Sequence, residues 1–204
     1  MKKIEGMDRE AIEAYRNWLI AENITLPQQL SIGLLCDTEY FRVVRDAIAL
    51  PNGKLGTHIR ILMSSQVSPG AACLTRCGDD FVMLQHGRYA TGGIHLECPR
   101  GFRRAGESPE ETALREVQEE TGLILTGIQA LGEMFVNTGL SDERVGLFYG
   151  TATGKDSVKA QAEEGIQKVV FLKPTDFFEA IRNGTINDSF TLSATIRAKL
   201  LDLI

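Results

Sequence analysis

Residues Gly101 to Leu123 read GFRRAGESPEETALREVQEETGL, and no other stretch constrains the chain as tightly: six glutamates and three arginines stand at fixed spacing across one loop and one helix. Ser108 followed by Pro109 and Glu111 offers a side-chain acceptor at the N-cap, a preset φ at the first helical position and a glutamate at the third, which predicts a helix beginning at Pro109. Gly122 can close it in the left-handed conformation, and the apolar run Leu123 to Leu125 favours a strand, so the helix ends near Thr121. At roughly 100° per residue, Glu116, Glu119 and Glu120 share one arc, with Ala113, Leu114 and Val117 in the adjoining arc. The carboxylate stripe therefore borders the buried stripe, whereas a solvated acidic face points away from it. Anions crowded at the edge of a core repel one another unless a cation neutralises them, and the helix contains no lysine. Arg115 falls four residues from both Glu119 and Glu111, where it can orient carboxylates without displacing a cation. Oxygen ligands alone suit Mg²⁺, with Mn²⁺ as the alternative.

The full pattern is Gly101, five residues, Glu107, seven residues, Arg115-Glu116-Val117, one residue, Glu119-Glu120, one residue, Gly122-Leu123. It resembles the Nudix hydrolase signature at every specified position, a coincidence on the order of 10⁻⁹ at any one starting point with average residue usage. The resemblance implies an α+β fold, an α/β/α sandwich, and Mg²⁺-dependent hydrolysis of a nucleoside diphosphate linked to some group X. It places Glu116, Glu120 and Glu119 on the metal. LQHGRY at Leu84 to Tyr89 and LECPRG at Leu96 to Gly101 resemble the strand and turn that precede the box in ADP-ribose pyrophosphatases. That likeness implies a metal-ligand role for the Arg100 backbone carbonyl, and substrate binding by Arg88, Gly101 and Glu97, the last placed for substrate or metal. Ala162 to Gly165 falls where the family keeps a mobile loop with a catalytic glutamate, so Glu164 is the implied general base or an extra metal ligand, followed by Glu163; Glu119 and Arg115 complete the catalytic set.

Asn137 to Glu143, followed by the apolar run Val145 to Tyr149, resembles the turn and strand lining the family's substrate pocket. ADP-ribose pyrophosphatases commonly carry a proline in such a turn, whereas this chain has Thr138 and Gly139. ADP-ribose and nucleotide sugars both remain open as substrates. The alternatives are a regulatory, ligand-binding domain with little turnover and a pyrophosphatase of dinucleoside polyphosphates or nucleoside triphosphates.

At 204 residues and 43% hydrophobic, the chain is long for the minimal domain of this kind. The expected division is an N-terminal extension over 1–67, with one helix and a β-rich part, and a catalytic domain over 68–204. In the extension, Asp8 to Ala21 has a helical pattern with Ile12, Tyr15, Trp18 and Leu19 on one side; Trp18 is expected to pack that helix. Phe41 to Leu50 and Thr57 to Ser64 read as strands around the turn Pro51-Asn52-Gly53. The likeness to ADP-ribose pyrophosphatases implies a homodimer through this region, with Arg60, Tyr40 and Phe41 as further substrate contacts. Ala71 to Leu74 and Phe81 to Leu84 open the second strand set, and Thr175 to Arg182 and Thr191 to Leu203 read as closing helices.

A formal charge of −5 argues against nucleic acid as a main partner, since duplex binding uses a basic footprint. Arg100, Arg103 and Arg104 nevertheless make a local positive patch suited to a small anionic substrate, with Arg103 and Arg104 expected to be exposed. Four cysteines without a CxxC pair and no apolar run of membrane-spanning length point to reduced thiols in a cytoplasmic protein. The three histidines, His58, His86 and His95, are scattered and read as structural.

Overall fold

A computed structural model describes residues 2–3, 13, 17–18, 20–22, 32–161 and 164–204. The chain forms two compact units, Met1–Ser64 with Asn137–Glu143, and Ser65–Val136 with Arg144–Ile204.

The smaller unit is built on an antiparallel sheet. Strands β2 (Gly33–Asp37), β3 (Phe41–Ala49) and β4 (Leu55–Met63) follow one another, and β1 (Lys2–Lys3) pairs with the end of β3 through Lys2 and Ala49. Thr38 turns the chain from β2 to β3, its hydroxyl accepting from Phe41 N at 3.0 Å. The β3–β4 turn lies at Pro51-Asn52-Gly53, where the Asn52 side chain accepts from Lys54 N at 3.0 Å and Gly53 has φ +80. Asn137–Glu143 continues the sheet at β4: Ile61 N donates to Leu140 O at 2.7 Å, and Met63 N to Asp142 Oδ1 at 2.8 Å. Asn17, Trp18, Ile20 and Ala21 are helical, and Trp18 packs against Ala47 with Ile32 and Leu55, as expected of a lone tryptophan on an apolar helix face. Ile12, Tyr15 and Leu19 of that helical pattern lie outside the described residues.

The larger unit is an α/β/α sandwich. Its seven-stranded mixed sheet contains β5 (Gly70–Cys77), β6 (Asp80–Arg88), β7 (Gly93–Glu97), β8 (Arg100–Gly101), β9 (Ile124–Phe135), β10 (Arg144–Thr153) and β11 (Ile166–Leu172). The order is β11-β6-β5-β10-β9, with β7 on β6 and β8 on β5, and β10 runs parallel to β5. Period-two alternation divides the core. Ala71, Cys73, Val82 and Leu84 face Ala113 and Val117 of helix α1 (Pro109–Thr121), while Ala72, Leu74, Phe81 and Met83 face the other layer. That layer is α2 (Pro174–Arg182) and α3 (Ser189–Leu200), which contribute Phe177, Ala194 and Ala198. Phe81 stacks on Phe177 with ring centroids 4.0 Å apart, and full burial of each ring contributes roughly 2–3 kcal/mol.

The last helix begins at Ser189 and ends at Leu200, earlier at both ends than its apolar pattern indicates. Asp188 sets the start by accepting from Phe190 N and Thr191 N. The four cysteines are free thiols, and burial pushes Cys73 up to about 12. Among the described residues no helix is long and apolar enough to cross a membrane.

Candidate active site

The box helix α1 spans Pro109–Thr121 and carries the expected caps. The Ser108 hydroxyl accepts from Glu111 N, the Glu111 carboxylate accepts from Ser108 N at 2.7 Å, and Gly122 closes the helix at φ 75. This capping box occupies Glu111, so Arg115 does not pair with it, contrary to the i,i−4 expectation. Glu107 takes that place: Arg115 Nε and Nη2 donate to its two carboxylate oxygens at 2.8 and 3.0 Å. Arg115 Nη1 donates to Glu116 Oε1 at 2.7 Å and Glu119 Oε2 at 2.8 Å, and Nη2 also reaches Phe102 O. Burial works against the charge of Arg115, but its bonds to Glu107, Glu119 and Glu116 outweigh that and hold its pKa above the ordinary value.

The buried side of α1 is Thr112, Ala113, Glu116, Val117, Glu120 and Thr121. Two carboxylates thus lie within the buried stripe rather than beside it, and Leu114, expected in that stripe, is 37% exposed. Glu116 is 7% and Glu120 1% exposed. Burial raises both pKa values. For Glu116 the adjacent Arg115 opposes the rise; for Glu120 the Glu116 charge adds to it, taking Glu120 to about 8.

Both carboxylates meet the turn at Arg100–Gly101. Arg100 N donates to Glu120 Oε2 at 2.9 Å. A Cβ on Gly101 would lie 2.1 Å from Glu116 Oε1, so only glycine lets that carboxylate rest against the backbone. The turn itself is fixed by β8, in which Arg100 and Gly101 pair with Ala72 and Ala71. Among the described residues no three His, Cys, Asp or Glu side chains converge as a ready cation cage. The donor set fits a cation of another sort: two buried carboxylates and a backbone turn, which suits Mg²⁺ because that ion keeps several waters and uses few protein ligands.

Glu119 is only partly buried and is held by Arg115 and by Arg104 Nη2 at 3.0 Å. Arg104 is exposed as expected, but Arg103 is not: it is half-buried, with its amide donating to Val67 O and its guanidinium to Ser65 O. Arg104 and Lys159 flank a cavity of about 440 Å³ that also reaches Glu119 and Gln161. A larger cavity, about 570 Å³, lies at the other end of α1 beside Ser108 and Pro109, away from the Glu116–Glu120 pair.

Glu97, 1% exposed, ends β7 and gathers cations: Arg88 donates to Oε1, and Arg100 Nη2 lies 3.5 Å from Oε2. The Arg88 charge also reaches Glu120 and lowers its pKa, placing the two clusters within electrostatic range. Glu164 is exposed, its Oε1 accepting from Gln161 Nε2 at 2.9 Å, and its charge raises both Glu116 and Glu120. Glu163 lies outside the described residues. Arg60 belongs to the smaller unit, where it pairs with Asp46 between β4 and β3; Tyr40 there is exposed and Phe41 half-buried. The spacing of the box includes Glu107 but not its pairing with Arg115, and His86, read as structural, joins Glu97. His86 is 4% exposed, with Nδ1 3.1 Å from Glu97 Oε1.

The NUDIX domain family matches residues 66–191. ADP-ribose pyrophosphatase of Bacillus subtilis (strain 168) is 31% identical over 103 residues, which are 50% of this chain and 53% of that protein. The match thus spans about half the length of that relative. Methanol dehydrogenase activator of Bacillus methanolicus is 28% identical over 159 residues, 75% of this chain and 83% of that protein. Among solved structures, an ADP compounds hydrolase superposes with a TM-score of 0.65 at 16% identity, covering 88% of this chain and 98% of that one, a likeness of fold. With the family match extending over most of the chain and the complete box seated on α1, this protein belongs to the NUDIX family.

Proposed function

We propose that the chain is a Nudix-type pyrophosphatase that uses Mg²⁺ to hydrolyse a nucleoside diphosphate linked to X, ADP-ribose or a nucleotide sugar, giving a nucleoside monophosphate and phosphorylated X. One observation carries this reading: Glu116 and Glu120 are buried together against the Arg100–Gly101 backbone, an arrangement that a divalent cation would relieve. Glu116, Glu120 and the Arg100 carbonyl would hold the cation, with Glu119 at the margin. When bound, it would supply a water of lowered pKa, from about 15.7 toward roughly 7–9, and neutralise charge on the phosphates.

The remaining work falls to side chains. Arg115 holds Glu116 and Glu119 in place from the Glu107 side. Arg88, anchored on Glu97, binds a substrate phosphate. Glu164 takes the proton of the attacking water as its oxygen bonds to phosphorus and the bridging P–O bond breaks, the leaving phosphate departing as the anion. The likeness to the B. subtilis ADP-ribose pyrophosphatase supports ADP-ribose. Exposed Leu34 and Leu35 on β2 and Ile59 on β4 support a homodimer through the 1–67 region.

A second reading, a regulatory ligand-binding domain, is favoured by the 159-residue likeness to an activator protein. The test is phosphate release coupled to a phosphatase at about 5–10 mM Mg²⁺, roughly saturating for a weak carboxylate site, across ADP-ribose, ADP-glucose, GDP-mannose, NADH and diadenosine polyphosphates. Turnover preferring ADP-ribose or a nucleotide sugar supports the pyrophosphatase; binding without turnover on all of them moves the regulatory reading first.

A further inference from the structure

Strand β6 ends at the candidate site, and its last residues hold the segment that carries Glu164. Gly87 N donates to Gly165 O at 3.0 Å, and Ile166 stands opposite His86 in the β6–β11 register. The regular pairing breaks by a bulge between Ile166 and Lys168, so Glu164 and Gly165 leave the sheet at this point. Gly165 takes φ +84, and a Cβ there would lie 3.2 Å from Gly87 O and 3.8 Å from the Nε2 and Cδ2 edge of the His86 ring. The buried His86 ring faces the Glu164–Gly165 backbone, and the nearby Glu164 carbonyl opposes the lowering of its pKa by burial. Its Nδ1 faces Glu97 Oε1, the carboxylate that also holds Arg88 and Arg100.

We propose that His86 is a positioning residue for Glu164: donating to the Glu164 carbonyl from within the sheet, it ties the general base to the strand that carries Arg88. The inference rests on the pyrophosphatase reading and deepens it, since it assigns how an exposed carboxylate on an irregular segment is kept within electrostatic range of the Glu116–Glu120 pair. A backbone anchor suits this task. One oxygen of Glu164 must be able to receive a proton, so its position is set through its own carbonyl and through Gln161, whose amide donates to the other oxygen, Oε1. Misplacement of a reacting group by about 1 Å costs on the order of 10²-fold in rate.

The test compares His86→Ala with His86→Gln, whose amide N–H reaches about as far as Nε2, on the best substrate of the panel. The expected result is a kcat lower by about 10–100-fold in His86→Ala, with KM and melting temperature little changed and most of the loss recovered in His86→Gln. In the Glu164→Gln background, His86→Ala adds no further loss, and the Gly87 amide of the His86→Ala protein exchanges faster with solvent. The proposal is overturned if Gln rescues no better than Ala, if the loss appears in KM alone, or if the two substitutions multiply. If the wild-type protein turns over no substrate, the pyrophosphatase reading fails by itself and Gly87 exchange decides the clasp: faster exchange in His86→Ala supports it, unchanged exchange overturns it.

Discussion

Two glutamates of the same loop and helix have opposite fates. Glu107 meets the Arg115 guanidinium through two hydrogen bonds, and this pairing lowers its pKa to about 2. Glu120, more deeply buried, has a backbone N–H as its donor and the Glu116 charge as its neighbour; burial drives it up to about 8. The residue type is the same, and the partner decides. At the loop end of the box the charge is compensated within the protein, whereas at the buried end compensation is left to something that binds. The arginine side is scaffold, and the Glu116–Glu120 side is where a cation would stabilise the fold as well as serve the chemistry.

The comparison breaks most severely at Glu120. Glu120→Gln keeps the shape and can still accept from Arg100 N, but it removes a proposed ligand; kcat is expected to fall on the order of 10³-fold. Stability should move the other way. A carboxyl whose folded pKa is raised contributes its full share below its unfolded value, near 4.5, and loses it as pH rises through about 8. Thermal melts without divalent cation should therefore show Glu120→Gln above wild type at pH 8.5, by up to a few kcal/mol, and level with it near pH 4. A variant less stable at both pH values would contradict the buried-charge account.

The next effect sits on the scaffold side. Arg115→Ala strands Glu107, Glu116 and Glu119 without their common partner; because Glu107 and Glu119 are partly exposed, the cost is below that of a fully buried pair, about 2 kcal/mol. Denaturant melts should show this at pH 7 irrespective of Mg²⁺, which separates a scaffold residue from a metal ligand. Smallest is Glu107→Gln, whose effect belongs to the acid range. A carboxyl with a depressed folded pKa stabilises above its unfolded value, and that contribution is lost as pH falls from about 4.5 through about 2. After allowing for its partial exposure the expected loss is about 1 kcal/mol at neutral pH, and the variant's acid melting profile should be flatter than wild type between those limits.

The helix was legible in the residues because its ends are set locally: Ser108, Pro109, Glu111 and Gly122 act within a few positions of themselves. Angular periodicity also brought Glu116 and Glu120 together. It could not say how deep they lie, because depth is set by the β8 turn against the helix, a contact made by Arg100 and Gly101 across the fold. The same limit hid the Arg115 pairing. At four residues' spacing Glu111 was as good a partner as Glu119, but the capping box engaged it, and the loop between Gly101 and Ser108 returned Glu107 instead. His86 carries a signal in the strand pattern. It stands two residues from Arg88 on a strand whose alternation already placed Val82 and Leu84 toward α1, so it shares their face. Its contact with the Glu164 segment depends on the β6–β11 pairing, which local sequence does not encode.

The most direct test of the central claim, that the buried Glu116–Glu120 pair is completed by a divalent cation, is calorimetric titration of Mg²⁺ at pH 7.5 in buffers of differing ionisation enthalpy, for wild type and Glu120→Gln. The account predicts binding accompanied by proton release in the wild type, because a cation displaces the proton from a carboxyl whose pKa is near 8, and weaker binding without release in the variant. Equal affinity and equal proton counts in the two proteins would contradict it.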